Sequence, residues 1–273
     1  MNLRNCPKIS IYKLQKGVAS GMPLLGRPFP PFPSGGICLL NIMATLLLKL
    51  TGPMQSWGVN SKFERSRSTE HYPSKSGIVG LLGACLGMKR DSDFSELRAL
   101  RFGVRVDHEG VLMKDFQTAE DINKLRYTTY KYYLADAFFV VGLEGDPKIL
   151  NVIMDSINRP YYPPFLGRKS YPPSESLLIG MRDADLVTAL INEPWHAKPW
   201  AQKKHPPEVQ LLVSIDADDS HTAEYYQRDN PVSYDIRNRQ YGPRGVHEFL
   251  TPPIKNTKSR AWKFQQEQDL LDL

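Results

Sequence analysis

The order of apolar segments is the feature that most restricts how this chain can fold. Short apolar runs bounded by turn residues are typical of buried strands, whereas apolar residues that recur every three or four positions predict helices. From residue 45 onward the patterns alternate as strand, helix, strand, a long insertion, strand, helix and strand. This order predicts an α+β fold with a ferredoxin-like (RRM-like) palm built on a split βαβ arrangement. The six segments are Thr45–Leu50, Gly77–Met88, Arg101–Asp107, Leu134–Leu143, Asp146–Asn158 and Leu177–Met181.

The remaining segments predict how the chain is divided around this palm. The insertion, about residues 108–133, is polar at its tip and flanked by strand-like residues, which predicts an inserted β-hairpin that projects like a thumb. With this thumb, the palm spans residues 43–181. A short helix, one strand and a charged stretch then predict a small β-rich C-terminal domain over residues 182–250. We expect residues 251–273 to form a loosely held tail.

The first 42 residues differ in composition from the rest of the chain. They carry five basic residues, no acidic residue and six of the 22 prolines. Such a segment cannot bury enough apolar surface to offset the entropy that it would lose on ordering. We therefore expect residues 1–42 to be a disordered extension, or an upstream mis-start if Met43, which directly precedes the first strand, is the true start.

Composition and cysteine use exclude several classes of protein. Hydrophobic residues make up 41% of the 273 positions and charged residues 23%, with a mean hydropathy of −0.40. These values are typical of a globular protein and exclude membrane-spanning, collagen-like and wholly disordered chains. The three cysteines show no paired spacing, which argues against a disulfide framework or a cysteine-only zinc site. We therefore expect a cytoplasmic protein in a reducing compartment, with no membrane partner.

Positive charge is concentrated in two segments that also carry tyrosines. The formal net charge is +6, and residues 49–90 contain seven cations against two acids. Residues 159–173 add three cations and no acid. Cations neutralise phosphates, and aromatic rings stack on unpaired bases for about 1–3 kcal/mol each. The pattern favours a nucleic-acid-binding protein over a solvated basic face with tyrosines in the core.

Signatures of catalysis and of cofactor binding are weak. The six histidines form no HxxxH or HxH pair, and the sequence has no Walker loop, GxSxG or strand-linked GxGxxG. We therefore predict no metal, no cofactor and no catalytic residue. One set, His71, Tyr72 and Lys75, has the residue types with which a metal-independent ribonuclease could supply a base and a cation. Phosphate binding is the simpler role for these residues.

The predicted helix over Gly77–Met88 is unusually rich in glycine. Its four glycines each lower helix stability relative to alanine. We expect them to permit a close backbone approach, either to a neighbouring element or to a ligand.

Two motifs carry a resemblance to a known family. The first, over residues 46–91, is LLLKLTGPMQSWGVNSKFERSRSTEHYPSKSGIVGLLGACLGMKRD, and the second, over residues 161–180, is YYPPFLGRKSYPPSESLLIG. In the second motif Tyr171 stands where the family usually has Cys. A weaker match over residues 115–141 is placed like the family's thumb. From about residue 43 to 250 the chain thus resembles the Cas five family of CRISPR-associated proteins, in its type I-E branch.

This resemblance implies an RNA-binding subunit rather than an enzyme. Members of the type I-E branch belong to Cascade, a surveillance ribonucleoprotein of antiviral defence, where they hold the 5′ handle of the CRISPR RNA (crRNA). They contact the backbone subunit, the large subunit and other Cascade proteins. Their contact with the target DNA is only indirect. Another branch of the family cleaves precursor RNA, so a metal-independent endoribonuclease that processes precursor crRNA is the alternative.

The resemblance also implies which residues bind RNA. They lie in the loop after the first strand, at the mouth of the glycine-rich helix, in a second basic loop and in the thumb. The N-terminus of the helix would offer free amides to a phosphate. The alternative to RNA binding for the second basic loop is a simple turn. In that case Gly167 is needed only for its positive φ, and its basic neighbours lie in solvent. The residues are Gln55, Trp57, Gly58, Arg67, His71, Pro73, Ser74, Lys75, Ser76, Gly77, Lys124, Arg126, Tyr127, Lys131, Gly167, Arg168, Lys169 and Ser170.

Overall fold

The computed structural model describes residues 43–58, 66–120, 126–218 and 222–260. The predicted extension, residues 1–42, and residues 261–273 of the predicted tail lie outside the described residues. The strands are β1 (Ala44–Thr51), β2 (Met54–Gln55), β3 (Ser66–Arg67), β4 (Arg101–His108), β5 (Val111–Glu120), β6 (Arg126–Ala135), β7 (Phe138–Gly145), β8 (Leu178–Arg182), β9 (Glu208–Val209), β10 (Leu212–Asp216), β11 (Tyr225–Ser233), β12 (Gln240–Leu250) and β13 (Ile254–Lys255). The helices are α1 (Lys75–Leu86), α2 (Ser95–Ala99), α3 (Pro147–Asn158), α4 (Leu186–Asn192) and α5 (Pro199–Gln202). Within the described ranges, no helix is long and apolar enough to cross a membrane.

Seven strands form one antiparallel sheet, in the order β11-β12-β10-β4-β7-β1-β8. Strand β1 is buried along almost its whole length because helices cover both faces of the sheet. Leu46, Leu48 and Leu50 pack with α1 and α3, whereas Leu47 packs with Leu190 of α4. This double coverage explains why three consecutive leucines, Leu46, Leu47 and Leu48, stand in β1 instead of an alternating pattern. The architecture is mixed α+β.

The insertion after β4 is a long β-hairpin. Strands β5 and β6 pair antiparallel along their whole length, and the hairpin lies where the sequence predicts an insertion. The other edge of β6 pairs with β2 and, in parallel, with β3. The prediction of one strand over Leu134–Leu143 is wrong, because Asp136 adopts φ 57° and separates the end of β6 from β7.

The longer strands of the C-terminal segment join the central sheet. Strand β10 pairs with β4, with Val213 opposite Arg105, and β12 and β11 extend the same sheet. The residues predicted as a small C-terminal domain, 182–250, thus supply three strands to the seven-stranded sheet. The sequence pattern does not reveal which distant strand covers the edge of β4. The buried Arg105 guanidinium secures this connection by donating to the backbone oxygens of Glu193 and Pro194.

The beginning of the predicted tail is also held. Strand β13 pairs with β9, and Thr251 and Asn256 are buried. The Asn256 amide donates to the backbone oxygens of Gln202 and Pro206. The expectation of a loosely held segment from residue 251 is therefore wrong through residue 260.

Helix α1 begins at a capping residue and uses its glycines for close packing. Ser74 Oγ accepts a hydrogen bond from the Gly77 N–H. A Cβ on Gly77 would lie 2.9 Å from the Trp57 ring, and one on Gly83 would lie 2.5 Å from the Phe94 ring. The expected close approaches are thus made to aromatic rings of neighbouring segments.

Candidate nucleic-acid interface

Three basic residues from separate segments are neighbours at the base of the hairpin. Arg67 of β3 is paired in register with Lys131 of β6, and paired residues project from the same face of a sheet. The Arg168 guanidinium donates from Nη2 to the backbone oxygens of Arg67 (3.3 Å) and Tyr132 (3.0 Å). We call Arg67, Lys131 and Arg168 the hairpin-base cluster. All three are exposed or partly exposed. Asp115 of β5 is paired in register with Lys131, so this surface carries three cations and one carboxylate and remains basic.

The loop that carries Arg168 is held on both sides. Arg168 Nη1 donates to Tyr171 Oη at 3.2 Å, so this tyrosine supports the guanidinium. The Leu166 N–H donates to the Tyr171 backbone oxygen (2.7 Å), and the Ser56 N–H donates to the Leu166 backbone oxygen (3.2 Å). Gly167 adopts φ 84°, as the turn interpretation requires. Arg168 is positioned by contacts instead of extending freely into solvent.

We expect Gly167→Ala to lower the free energy of unfolding by about 3 kcal/mol or more. A Cβ at this position would lie 1.7 Å from the Ser56 backbone oxygen, in a backbone conformation that L-residues rarely adopt. Thermal denaturation should show a Tm lower by roughly 6–12 °C. The matched control is Gly242→Ala, whose Cβ would make an ordinary contact at 3.6 Å. Equal Tm values for the two variants would contradict this prediction.

Gln55 and Trp57 are structural residues, and the prediction that they contact RNA directly is wrong. Both are buried. Gln55 Nε2 donates to the backbone oxygens of Leu50 (3.1 Å) and Ala137 (2.8 Å), and its Oε1 accepts from Trp57 Nε1 (3.2 Å). These bonds tie the end of β1 to the start of β7. Because the two side chains expose almost no surface, they shape the loop from within.

Lys75 and the N-terminus of α1 are occupied by carboxylates of the same chain. Lys75 is only 7% exposed, and its Nζ lies 2.7 Å from Asp216 Oδ2. Its backbone N–H donates to Asp229 Oδ2 at 2.8 Å. The prediction that Lys75 and the amides of α1 bind a phosphate is therefore wrong, since an internal anion already takes this position. The two aspartates belong to β10 and β11, which are far from α1 in the sequence.

Arg244 completes this buried ionic network. It donates from Nε to Asp229 Oδ1 (2.7 Å), from Nη2 to Asp229 Oδ2 (2.9 Å) and from Nη1 to Asp216 Oδ1 (3.0 Å). Burial by itself lowers the pKa of Arg244, but the hydrogen bonds and charges of the two aspartates raise it above its usual value. Two cations face two carboxylates here, so the network presents little net charge to a nucleic acid.

The residues considered for ribonuclease chemistry do not share one open site. Tyr72 is buried, and its hydroxyl donates to Glu248 Oε1 at 2.6 Å. Burial, together with the hydrogen bond to Glu248, raises the pKa of Tyr72. Lys75 is bound by Asp216, as described above, whereas His71 is exposed. His71 and Tyr72 line one open pocket together with Glu248, whereas Lys75 lies outside the lining of that pocket.

The predicted thumb residues that the structure describes are spread along β6. Arg126 Nε lies 3.0 Å from Glu120 Oε2, and both side chains are exposed. Tyr127 is 40% exposed. Lys131 Nζ donates to Gln117 Oε1 at 2.7 Å. Lys124 lies outside the described residues.

The hairpin also has an aromatic face that the family motifs do not indicate. Lys114 Nζ lies 4.3 Å from the centre of the Tyr130 ring. Phe116 is 62% exposed, and its ring centre lies 6.4 Å from that of Tyr130. The paired positions place these three residues on one face of the hairpin, opposite the face that carries Lys131. The concentration of aromatic residues in the insertion was the signal that could have revealed this face; they are Phe116, Tyr127, Tyr130, Tyr132 and Tyr133.

The remaining predicted residues differ in exposure. Those on the surface can contact a ligand directly, whereas those inside support the loops. Gly58, Lys169 and Ser170 are exposed, Ser76 and Gly77 are partly buried, and Pro73 and Ser74 are buried.

The fold and this basic surface agree with one class of protein. Residues 45–247 match the model of a family described as CRISPR-associated protein (Cas_Cas5). This match covers well over half of the chain, and the chain therefore belongs to this family of CRISPR-associated proteins. The resemblance drawn from the two sequence motifs is confirmed.

Individual relatives point to one kind of complex. The CRISPR system Cascade subunit CasD of Escherichia coli (strain K12) is 40% identical over 159 residues, covering 50% of this chain and 70% of that protein. A solved structure described as a crystal structure of Cas protein is 38% identical, with a TM-score of 0.62 over 79% of this chain and 97% of that chain. Another, described as a CRISPR RNA-guided surveillance complex, is 29% identical, with a TM-score of 0.65 over 82% of this chain and 98% of that chain.

Proposed function

We propose that this chain is a non-catalytic RNA-binding subunit of a type I-E Cascade surveillance complex in the cytoplasm. In this role it holds the 5′ handle of the crRNA and bridges the backbone and large subunits in antiviral defence. The observation that carries the proposal is the hairpin-base cluster, in which three separate segments assemble cations on one surface. The similarity to CasD supports the assignment to Cascade.

The geometry suggests a path for the RNA along one face of the hairpin. Lys131 and Tyr127 lie on the same face of β6, about 13 Å apart. Arg168 and Arg67 adjoin the Lys131 end of this path. Phosphates would be neutralised by the cluster, while Tyr127 stacks on an unpaired base. The opposite face, with Leu112 and Phe116 at 55% and 62% exposure, suits contact with a protein subunit.

We further infer a ferredoxin-like palm with the hairpin as its thumb. In chain order β1, α1, β4, β7, α3 and β8 repeat the split βαβ pattern. In space the four strands lie in the order β4-β7-β1-β8. Both orders support the palm, and the position of the hairpin between β4 and β7 supports the thumb.

The test of this proposal is reconstitution of Cascade with and without the chain. We expect the complete complex to retain crRNA with an intact 5′ handle, and the complex that lacks this chain to lose the RNA or leave its handle sensitive to nuclease. Equal protection of the handle in both complexes would contradict the proposal.

We expect the purified chain not to cleave repeat RNA, with or without divalent metal. Tyr72 donates to Glu248 and Lys75 is bound by Asp216, so neither side chain is free to act as base or cation beside His71. Gel analysis of end-labelled precursor RNA after incubation measures this. Specific cleavage that His71→Ala abolishes would instead favour the endoribonuclease.

A further inference from the structure

A groove of about 680 Å³ lies along α1, next to the loop that follows α3. On the helix side, Gly80 and Ala84 leave the surface open because their side chains are small. Phe94 and Phe165 contribute apolar walls. The groove lies outside the hairpin-base cluster, and none of the described residues that line it is acidic.

Three cations border this groove. Lys89 and Arg90 follow the end of α1, and Lys169 approaches from the loop that carries Arg168; all three contribute to the lining. Arg168 contacts the hairpin base, while the adjacent Lys169 lines the groove. One loop thus joins the two basic surfaces. A phosphate backbone bound at the cluster could continue into the groove without leaving positive potential.

Tyr162 presents an aromatic ring at the groove that is held in advance of any ligand. It is 50% exposed, and its ring packs nearly perpendicular to that of Tyr161, with centres 4.6 Å apart. The Tyr161 and Tyr162 N–H groups donate to the backbone oxygens of Cys85 (2.8 Å) and Ala84 (3.2 Å). Gly87, at φ 75°, leaves room for Tyr161, because a Cβ there would lie 2.7 Å from that ring. A ring fixed in this way loses little entropy when it stacks.

We propose that the groove receives an unpaired base of the crRNA handle, which stacks on Tyr162 while its phosphates contact Lys89, Arg90 and Lys169. The cationic border without acids and its continuity with the hairpin-base cluster favour a nucleotide over an apolar segment of a partner protein. This inference rests on the proposed function, since it names where part of the handle lies.

The test places 2-aminopurine, whose fluorescence is quenched by stacking, at each handle position in turn in reconstituted Cascade. We expect one position, or two adjacent ones, to be quenched in the complex and to brighten with Tyr162→Ala. The same variant should weaken RNA retention about tenfold, as loss of one base stack implies. The matched control is Tyr226→Ala, which removes a 61% exposed tyrosine from edge strand β11.

A second pair of variants tests the role of the groove independently of the Tyr162 ring. Gly80→Leu fills the groove and should release the same base, whereas Gly80→Ala adds a methyl group at an ordinary 3.7 Å from Tyr234 and should not. If the complex retains crRNA but no handle position responds, the groove proposal fails and the proposed function stands. If the handle is protected equally without this chain, the proposed function itself fails. If Gly80→Leu causes loss of another protein subunit while the fluorescence is unchanged, the groove binds a protein segment and the proposal is overturned. If 2-aminopurine responds only when it is placed in the target DNA, the groove binds DNA and the proposal is likewise overturned.

Discussion

Asp229→Ala is expected to lower the free energy of unfolding by about 3–5 kcal/mol. The carboxylate is fully buried and accepts hydrogen bonds from the Arg244 guanidinium and from the Lys75 N–H at the start of α1. Its removal leaves a buried cation short of one partner and an orphan amide at the helix terminus. Thermal denaturation of the full chain should show a Tm lower by roughly 6–20 °C.

The control for this prediction is an Asp–Arg ion pair whose carboxylate is exposed. Asp218, whose side chain is 71% exposed, pairs with Arg101, and Asp218→Ala should cost at most about 1 kcal/mol. Asp229→Asn preserves the size of the side chain and an acceptor for the Lys75 N–H, so its Tm should lie between those of the wild type and Asp229→Ala. A Tm for Asp229→Ala equal to that of Asp218→Ala would show that the network is not assembled in solution.

Replacing the whole hairpin-base cluster is expected to have the largest effect on RNA binding. In the variant Arg67→Gln/Lys131→Gln/Arg168→Gln, crRNA retention should fall by at least about tenfold at physiological salt. If all three cations contact phosphates, the slope of log affinity against log salt should become shallower by about 2, since each contact to a single strand contributes about 0.7. Filter binding of crRNA to the reconstituted complex across a salt series measures both quantities.

Two control variants distinguish phosphate contacts from general charge and from stacking. Arg237→Gln/Lys255→Gln/Lys258→Gln removes the same charge from exposed residues elsewhere on the chain and should leave the salt slope near that of the wild type. Tyr127→Ala should weaken binding without changing the slope, because a stacked ring releases no counterions. An unchanged slope for the cluster variant, with its Tm intact, would show that these cations are only solvated.

Most secondary structure could be predicted because its causes are local. Asp146 as N-cap with Pro147 as first helical residue predicts the start of α3, and the structure places that helix over Pro147–Asn158. The apolar run of β1 also predicts a strand, because a strand that is buried on both faces does not need to alternate apolar and polar residues. The strand predicted over Leu134–Leu143 failed because one residue, Asp136, adopts a left-handed conformation that its neighbours do not signal.

The residues of the candidate site could be selected from the sequence, but their arrangement could not. The resemblance and the residue types pointed to Arg67, Lys131 and Arg168, which lie in three separate segments, and their contact with RNA stays a prediction. From the sequence, Lys75 was indistinguishable from these three cations. A sequence shows which residues are charged, but it does not show which residue pairs with each charge. Its counter-ion, Asp216, approaches through pairing of β10 with β4.

The sequence by itself determined the family, the basic character and the local elements of this protein, because motif identity, charge and periodicity are properties of consecutive residues. Tertiary structure alone decided which cations remain available. It buried Lys75 between two aspartates, placed Arg168 on the backbone oxygens of Arg67 and Tyr132, and joined the C-terminal strands to the central sheet. Long-range pairing and desolvation cause these outcomes, and both depend on which distant segments the fold brings into contact.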